Sequence, residues 1–112
     1  MNYVGQRSLI LIPYPFSDSN LHKVRPALIV SNNEFNRHGD DVVAIPLTSV
    51  IKQELFSVLI TQSNLQEGKL IKESRARADK IFSVSKNRII MKIGEVNKES
   101  FDKIKKEILK IL

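Results

Sequence analysis

The chain has 112 residues, no cysteine and a formal charge of +6, from 18 Lys and Arg against 12 Asp and Glu; disulfide frameworks, thiolate nucleophiles and cysteine metal sites are excluded. Its length suits one core, so residues 1–112 read as a single domain, and 42% hydrophobic with 27% charged residues fits a globular chain. No apolar run approaches the roughly 20 residues of a bilayer span and no secretory leader stands out, so a cytoplasmic, non-membrane protein is expected.

The first predicted strand is Ser8 to Tyr14, bounded by Pro13, Pro15 and the polar cluster Ser17 to Asn20. A second runs from Ala27 to Ser31, opened by Pro26, which lacks a ladder donor and suits a strand's first position. Asn33 is placed to cap one helical turn through Arg37, and Gly39-Asp40-Asp41 returns the chain into a third strand, DVVAIPLTS. Leu55 to Thr61 is a fourth. Glu67-Gly68 reads as a turn before a strand over Glu73 to Ile81 with one wet, basic face. Asn87 to Val96 reads as a last strand or a strand and turn, with Gly94 available for positive φ. Beyond Lys98 the period changes: Phe101, Ile104, Ile108 and Ile111 make the stripe of an amphipathic helix, with Asn97 as its N-cap. Short strands followed by one helix, with only four glycines, describe a mainly β protein: a small barrel or half-open sheet covered by a C-terminal helix.

The charge is uneven. Between Lys69 and Lys92 stand eight basic residues against Glu73 and Asp79, which fits either a polyanion-binding face or a solvated surface that maintains solubility. His22 and His38 lie beside turns and are expected to be exposed and catalytically silent. Asp40 and Asp41 alternate across a strand and would not share an ion, and no glycine-rich phosphate loop is present. Neither metal nor cofactor is expected. What remains is a set of arginines and hydroxyls. A guanidinium fork matches phosphate oxygens, and RNA carries its own nucleophile in the 2′-hydroxyl, so such groups suffice to cleave RNA.

Three blocks carry a resemblance: LILIPYPFSD, KVRPALIVSNNEFNRHGDDVVAIPLTS and GKLIKESRARADKIFSV. Together they resemble the MazF/PemK toxins, most specifically through VRPALIVS followed by PLTS. The resemblance implies an SH3-like β-barrel with a helical cover, a homodimer, cleavage of single-stranded mRNA at short sequences, and neutralisation by an acidic antitoxin. Carried over residue by residue, it puts the catalytic pair at Arg25 and Thr48. It also puts substrate contacts at Phe16, Ser17 and Ser19 in the loop between the first two strands, at Ser49, and at Arg77 and Lys80, to which the residues themselves add Arg75. Asp79 is placed to hold Arg77. Two departures stand out: Arg75 adds a charge, and Arg7-Ser8 replaces the Gly-Asp that opens many members. The alternative on the same fold is a toxin resembling CcdB, which would inhibit DNA gyrase without the Arg25 and Thr48 chemistry.

Overall fold

The computed structural model describes residues 4–13, 24–49, 52 and 55–112. Among these, eight strands follow in order: β1 (Ser8–Pro13), β2 (Val24–Ile29), β3 (Asp41–Thr48), β4 (Ser57–Ile60), β5 (Leu65–Gly68), β6 (Ser74–Arg77), β7 (Phe82–Ser85) and β8 (Met91–Val96). Helix α1 (Asn33–His38) joins β2 to β3, and α2 (Lys98–Leu109) follows β8. The spatial order is β4-β6-β3-β2-β1-β8-β5, with β7 also on β3. Every pairing is antiparallel.

β3 makes the sheet curl. Asp41 to Ala44 pair with β7, whereas Leu47 and Thr48 pair with β6 on the same edge. The sheet therefore divides along one strand, and β6 with β4 bends away from β7. A 3₁₀ turn, Ala78–Lys80, makes the passage between the two partners.

Because side chains alternate across a strand, the curled sheet buries two separate apolar faces. Inside lie Leu9, Leu28, Ile45, Leu47, Ile60, Ala76 and Val96, closed over by Phe101 and Ile104 of α2. On the opposite face Ile10, Ile12, Ala27, Ile29, Val42, Ala44 and Val84 form a second buried cluster, with Phe82 and Ile89 packed on it. Fully burying a Leu, Ile or Phe side chain stabilises by about 1.5–3 kcal/mol, so the inner cluster holds α2 in place. The α2 stripe predicted through Ile111 ends at Ile108, since Ile111 is substantially exposed. Asn97 caps the helix as expected, its side chain accepting from the Ser100 N–H at 2.8 Å.

Several boundaries differ from the sequence reading. Asn32, not Asn33, caps α1, accepting from the Phe35 N–H at 2.8 Å; Asn33 instead accepts from the Gln6 N–H. β2 begins two residues before Pro26, with Val24 against Pro13. The expected strand over Glu73 to Ile81 stops at Arg77, and Phe82–Ser85 forms a strand of its own. The last strand starts at Met91, after a 3₁₀ turn over Lys86–Arg88.

Glu67-Gly68 is not a free turn: it ends β5, paired with β8. Gly68 takes φ +86, and a Cβ there would lie 2.3 Å from both Gly94 Cα and Ile93 O. Gly94 is needed for that close approach and not for positive φ.

Candidate functional site

Arg25 sits in β2 on the face of Ala27 and Ile29, and Thr48 ends β3 on the face of Val42 and Ala44, so both lie half-buried at the end of the face that carries the second cluster. Neither Pro26 nor Pro46 can donate to a ladder, and the β2–β3 pairing runs from Ala27↔Pro46 to Ile29↔Ala44. Continued two residues the other way, that register sets Arg25 opposite Thr48. Ile12 pairs with Arg25 on one side; Arg75 pairs with Thr48 and Leu59 on the other. One row thus crosses the sheet: Ile12, Arg25, Thr48, Arg75, Leu59. Residues far apart in sequence, two of them arginines, bracket one hydroxyl.

The arginines of β6 are held differently. The Arg75 Nε donates to Ser57 Oγ at 2.8 Å, and its Nη2 reaches the Ser57 carbonyl at 3.4 Å. Ser57 thereby orients the guanidinium along the row. Arg77 forms a two-pronged bond to Asp79, 2.9 and 2.8 Å. This hydrogen bond and the positive charge of Arg77 hold the Asp79 carboxyl below its usual range against the opposing effect of burial. Lys80 lies exposed in the following 3₁₀ turn. Ser57 was not singled out in the sequence, where a serine opening a strand carries no signal of an arginine partner 18 residues on.

Ser49 follows Thr48 and so faces the other way, into the mouth of the barrel. A cavity of about 220 Å³ opens there, lined by Val24, Arg25, Leu47, Ser49, Leu70, Ile71, Lys72 and Ile93 among others. Phe16, Ser17 and Ser19, with Tyr14 and His22, lie outside the described residues. His38 does not approach the row; its Nδ1 is 2.9 Å from the Glu34 carbonyl within α1. Among the described residues no three His, Asp or Glu side chains converge as a metal would require, and no helix is long and apolar enough to cross a membrane.

A curled antiparallel half-barrel closed by a C-terminal helix is the architecture of this small basic protein. The family model of PemK-like, MazF-like toxins of type II toxin-antitoxin systems matches residues 6–112, and the chain belongs to that family. A search of curated protein sequences gives no match. Among solved structures it is similar to an endoribonuclease in complex with its cognate antitoxin from Mycobacterial species, at 25% identity, covering 96% of this chain and 93% of that one with a TM-score of 0.78. An endoribonuclease from Mycobacterial species matches at 27% identity, 98% and 91% coverage and a TM-score of 0.75. A MazE-MazF structure from Deinococcus radiodurans shares the fold at 19% identity, 98% and 96% coverage and a TM-score of 0.75.

Proposed function

We propose that this toxin is an endoribonuclease that cleaves single-stranded mRNA at short sequences without a metal, with Arg25 and Thr48 as its catalytic pair. The observations that support the reading are the Thr48↔Arg75 pairing of β3 with β6 and the β2–β3 ladder, which runs to Ala27↔Pro46 and, continued by two residues, would bring Arg25 toward Thr48. The similarity to Mycobacterial endoribonucleases supports the substrate class.

In the reaction the 2′-hydroxyl gives its proton to water as its oxygen attacks the adjacent phosphorus, and the bond to the 5′-oxygen breaks as that oxygen takes a proton from water, leaving a 2′,3′-cyclic phosphate and a 5′-hydroxyl. Negative charge accumulates on the non-bridging oxygens, where a guanidinium fork is worth most. Arg25 stabilises that charge and donates a hydrogen bond toward the departing 5′-oxygen. Thr48 donates its hydroxyl to a non-bridging oxygen and fixes the phosphate. Arg75, steadied by Ser57, takes a neighbouring phosphate. Arg77 and Lys80, with Phe16, Ser17 and Ser19, extend the contact surface, Arg77 through whatever its bond to Asp79 leaves open.

The protein acts as a single domain in the cytoplasm, as a homodimer, and is neutralised by a cognate acidic antitoxin segment laid along the basic face. RNA incubated with the purified protein in EDTA should yield cyclic-phosphate and 5′-hydroxyl ends, and Arg25→Ala should abolish the cut while melting normally. Intact RNA together with inhibited DNA gyrase would instead establish the CcdB-like alternative, which the family match does not favour.

A further inference from the structure

We propose that the corner Phe56–Ser57 is a positioning element of the site: it fixes the Arg75 guanidinium before RNA arrives, so that Ser57, and Phe56 behind it, set how tightly the phosphate beside the cleaved one is gripped. The proposal rests on the ribonuclease reading and deepens it.

The first argument is strain. Among the described residues only Arg7 and Phe56 take a positive φ without being glycine. Arg7 stands before β1, at the other end of that strand from Ile12 and the row. Phe56, at φ 59, immediately precedes Ser57, the first residue of β4. The left-handed region is unfavourable for a bulky residue and in turns is ordinarily filled by Gly or Asn. Such a conformation persists only where its surroundings over-determine it, and it collects at functional sites. Packing does not explain the phenylalanine, because it is half-buried and its ring belongs to neither apolar cluster.

The second argument is what that backbone holds. The Phe56 carbonyl accepts from the N–H of the buried Ala78 at 2.9 Å. Ala78 opens the 3₁₀ turn that follows Arg77, so the bond pins the end of β6 to the start of β4. Ser57 then pairs with Arg77 and Leu59 with Arg75, which makes Ser57 the diagonal neighbour of Arg75 on one face of the sheet. From there it accepts the Arg75 Nε on its hydroxyl and the Nη2 on its own carbonyl. Reversing the sign of φ at position 56 swings the chain before it against the chain after it, so the bonds to Ala78 and to Arg75 cannot both survive.

The third argument is the consequence for binding. No carboxylate among the described residues pairs with Arg75, so the guanidinium keeps its full charge and its Nη1 is left for a phosphate. An arginine that is ordered only on binding loses rotamer freedom at that moment, and one held beforehand does not. Since the phosphate it meets is not the one that reacts, the gain is uniform binding and falls on KM, not on kcat.

The test compares Ser57→Ala, Ser57→Thr, Phe56→Ile and Phe56→Asn in the full chain by melting, by NMR exchange of the Arg75 Nε proton without RNA, and by steady-state cleavage in EDTA. Ser57→Ala should speed that exchange and raise KM about fivefold, with kcat falling by less than about twofold; Ser57→Thr should recover most of the loss. Phe56→Ile, apolar but averse to positive φ, should resemble Ser57→Ala, whereas Phe56→Asn, polar but tolerant of it, should stay nearer the wild type. A ring that served packing alone predicts the reverse order. RNA with a neutral methylphosphonate placed on each side of the cleaved position in turn should cost the wild type a similar factor on one side, and should cost Ser57→Ala nothing further there. A wild-type KM in folded Ser57→Ala, losses that add to those of the methylphosphonate, or Phe56→Ile surpassing Phe56→Asn overturns the proposal; if Phe56→Ile does not fold, the Ser57 variants decide. The expected exchange pattern with RNA left whole by the wild type would sink the ribonuclease reading and keep the corner as the holder of Arg75.

Discussion

Replacing Arg25 and Thr48 by Ala, singly and together, tests whether the two side chains act on one phosphate. Opposed residues in an antiparallel pair have Cα atoms about 4.5–5.5 Å apart, and both side chains leave the same face, so one phosphate lies within reach of each. Removing a preorganised donor aimed at developing charge costs about 3–4 kcal/mol, or 10²–10³ in kcat, and Arg25→Ala belongs there. Thr48 contributes one neutral hydroxyl bond, about 1–1.5 kcal/mol and roughly tenfold. Were the two independent, the double variant would lose about 4–5.5 kcal/mol. With a shared phosphate, loss of the arginine already misplaces the group that Thr48 holds, so the double variant should fall within about threefold of Arg25→Ala. Arg25→Lys keeps the charge but not the fork and should recover only part of the loss. The assay is single-turnover cleavage of a fluorogenic RNA in EDTA, with melting curves alongside. Neither side chain belongs to an apolar cluster, so melting should change little. Full additivity, or more than a tenth of wild-type activity in a folded Arg25→Ala, would refute a common site of action.

Gly68→Ala should cost about 3 kcal/mol or more, because its Cβ would lie 2.3 Å from β8 backbone at φ +86; Gly94→Ala, whose tightest contact is 2.8 Å to the Glu67 carbonyl oxygen, should cost less, and urea unfolding that reverses this order would contradict the close approach. The Arg77–Asp79 pair should contribute under about 1 kcal/mol. Since the folded Asp79 carboxyl lies below its ordinary 3.8, that contribution is present above the unfolded value and lost as pH falls through the folded one; the stability gap between wild type and Asp79→Asn should be flat from pH 7 to about 5 and close below about 4, and a gap unchanged at pH 3 would show the pair is not its source. If Arg25, Arg75 and Lys80 are the main phosphate contacts, binding of a single-stranded, 2′-deoxy-substituted oligonucleotide should weaken with salt at a log–log slope near about −2, from about −0.7 per contact. A slope near about −5 would mean that the whole basic segment lies along the strand.

The sequence shows its long-range pattern better than its turns. Continuous apolar, β-favouring runs made β1 and β3 legible because both of their faces are buried, and the change of period at Lys98 located α2 with its cap because that helix buries one stripe. Glu73 to Ile81 misled for a physical reason: the alternation in SRAR is genuine, but Ala78 is buried inside a 3₁₀ turn that moves the chain from β6 to β7, and three residues are too few to display a period. Asn32 and Asn33 are both competent caps, and only the contact of Asn33 with Gln6 separates them. At the site, Arg25 and Thr48 were reached through resemblance, while their alignment with Arg75 depends on two registers that neither spacing nor composition encodes. The departure at position 7 also has a structural counterpart: Arg7 takes φ 78, the region that favours glycine, and its side chain reaches the Val96 carbonyl, Gln66 and Glu95.

The basic segment shows why a count of charges locates no site. Of its eight cations, Arg77 is engaged by Asp79, Lys92 lies between Glu67 and Glu95, and Lys86 donates to the Gly39 carbonyl. These cations brace the elements they sit on. Arg75 differs from Arg77 and Lys92 because its partner is a neutral serine, which orients the guanidinium without cancelling its charge. A carboxylate at position 57 would hold the side chain as firmly and remove its value to a phosphate, so a neutral partner preserves the field that the row requires. Net charge favours a polyanion partner; on the proposed reading, Arg75 serves it best because the fold orients that guanidinium through a neutral hydroxyl.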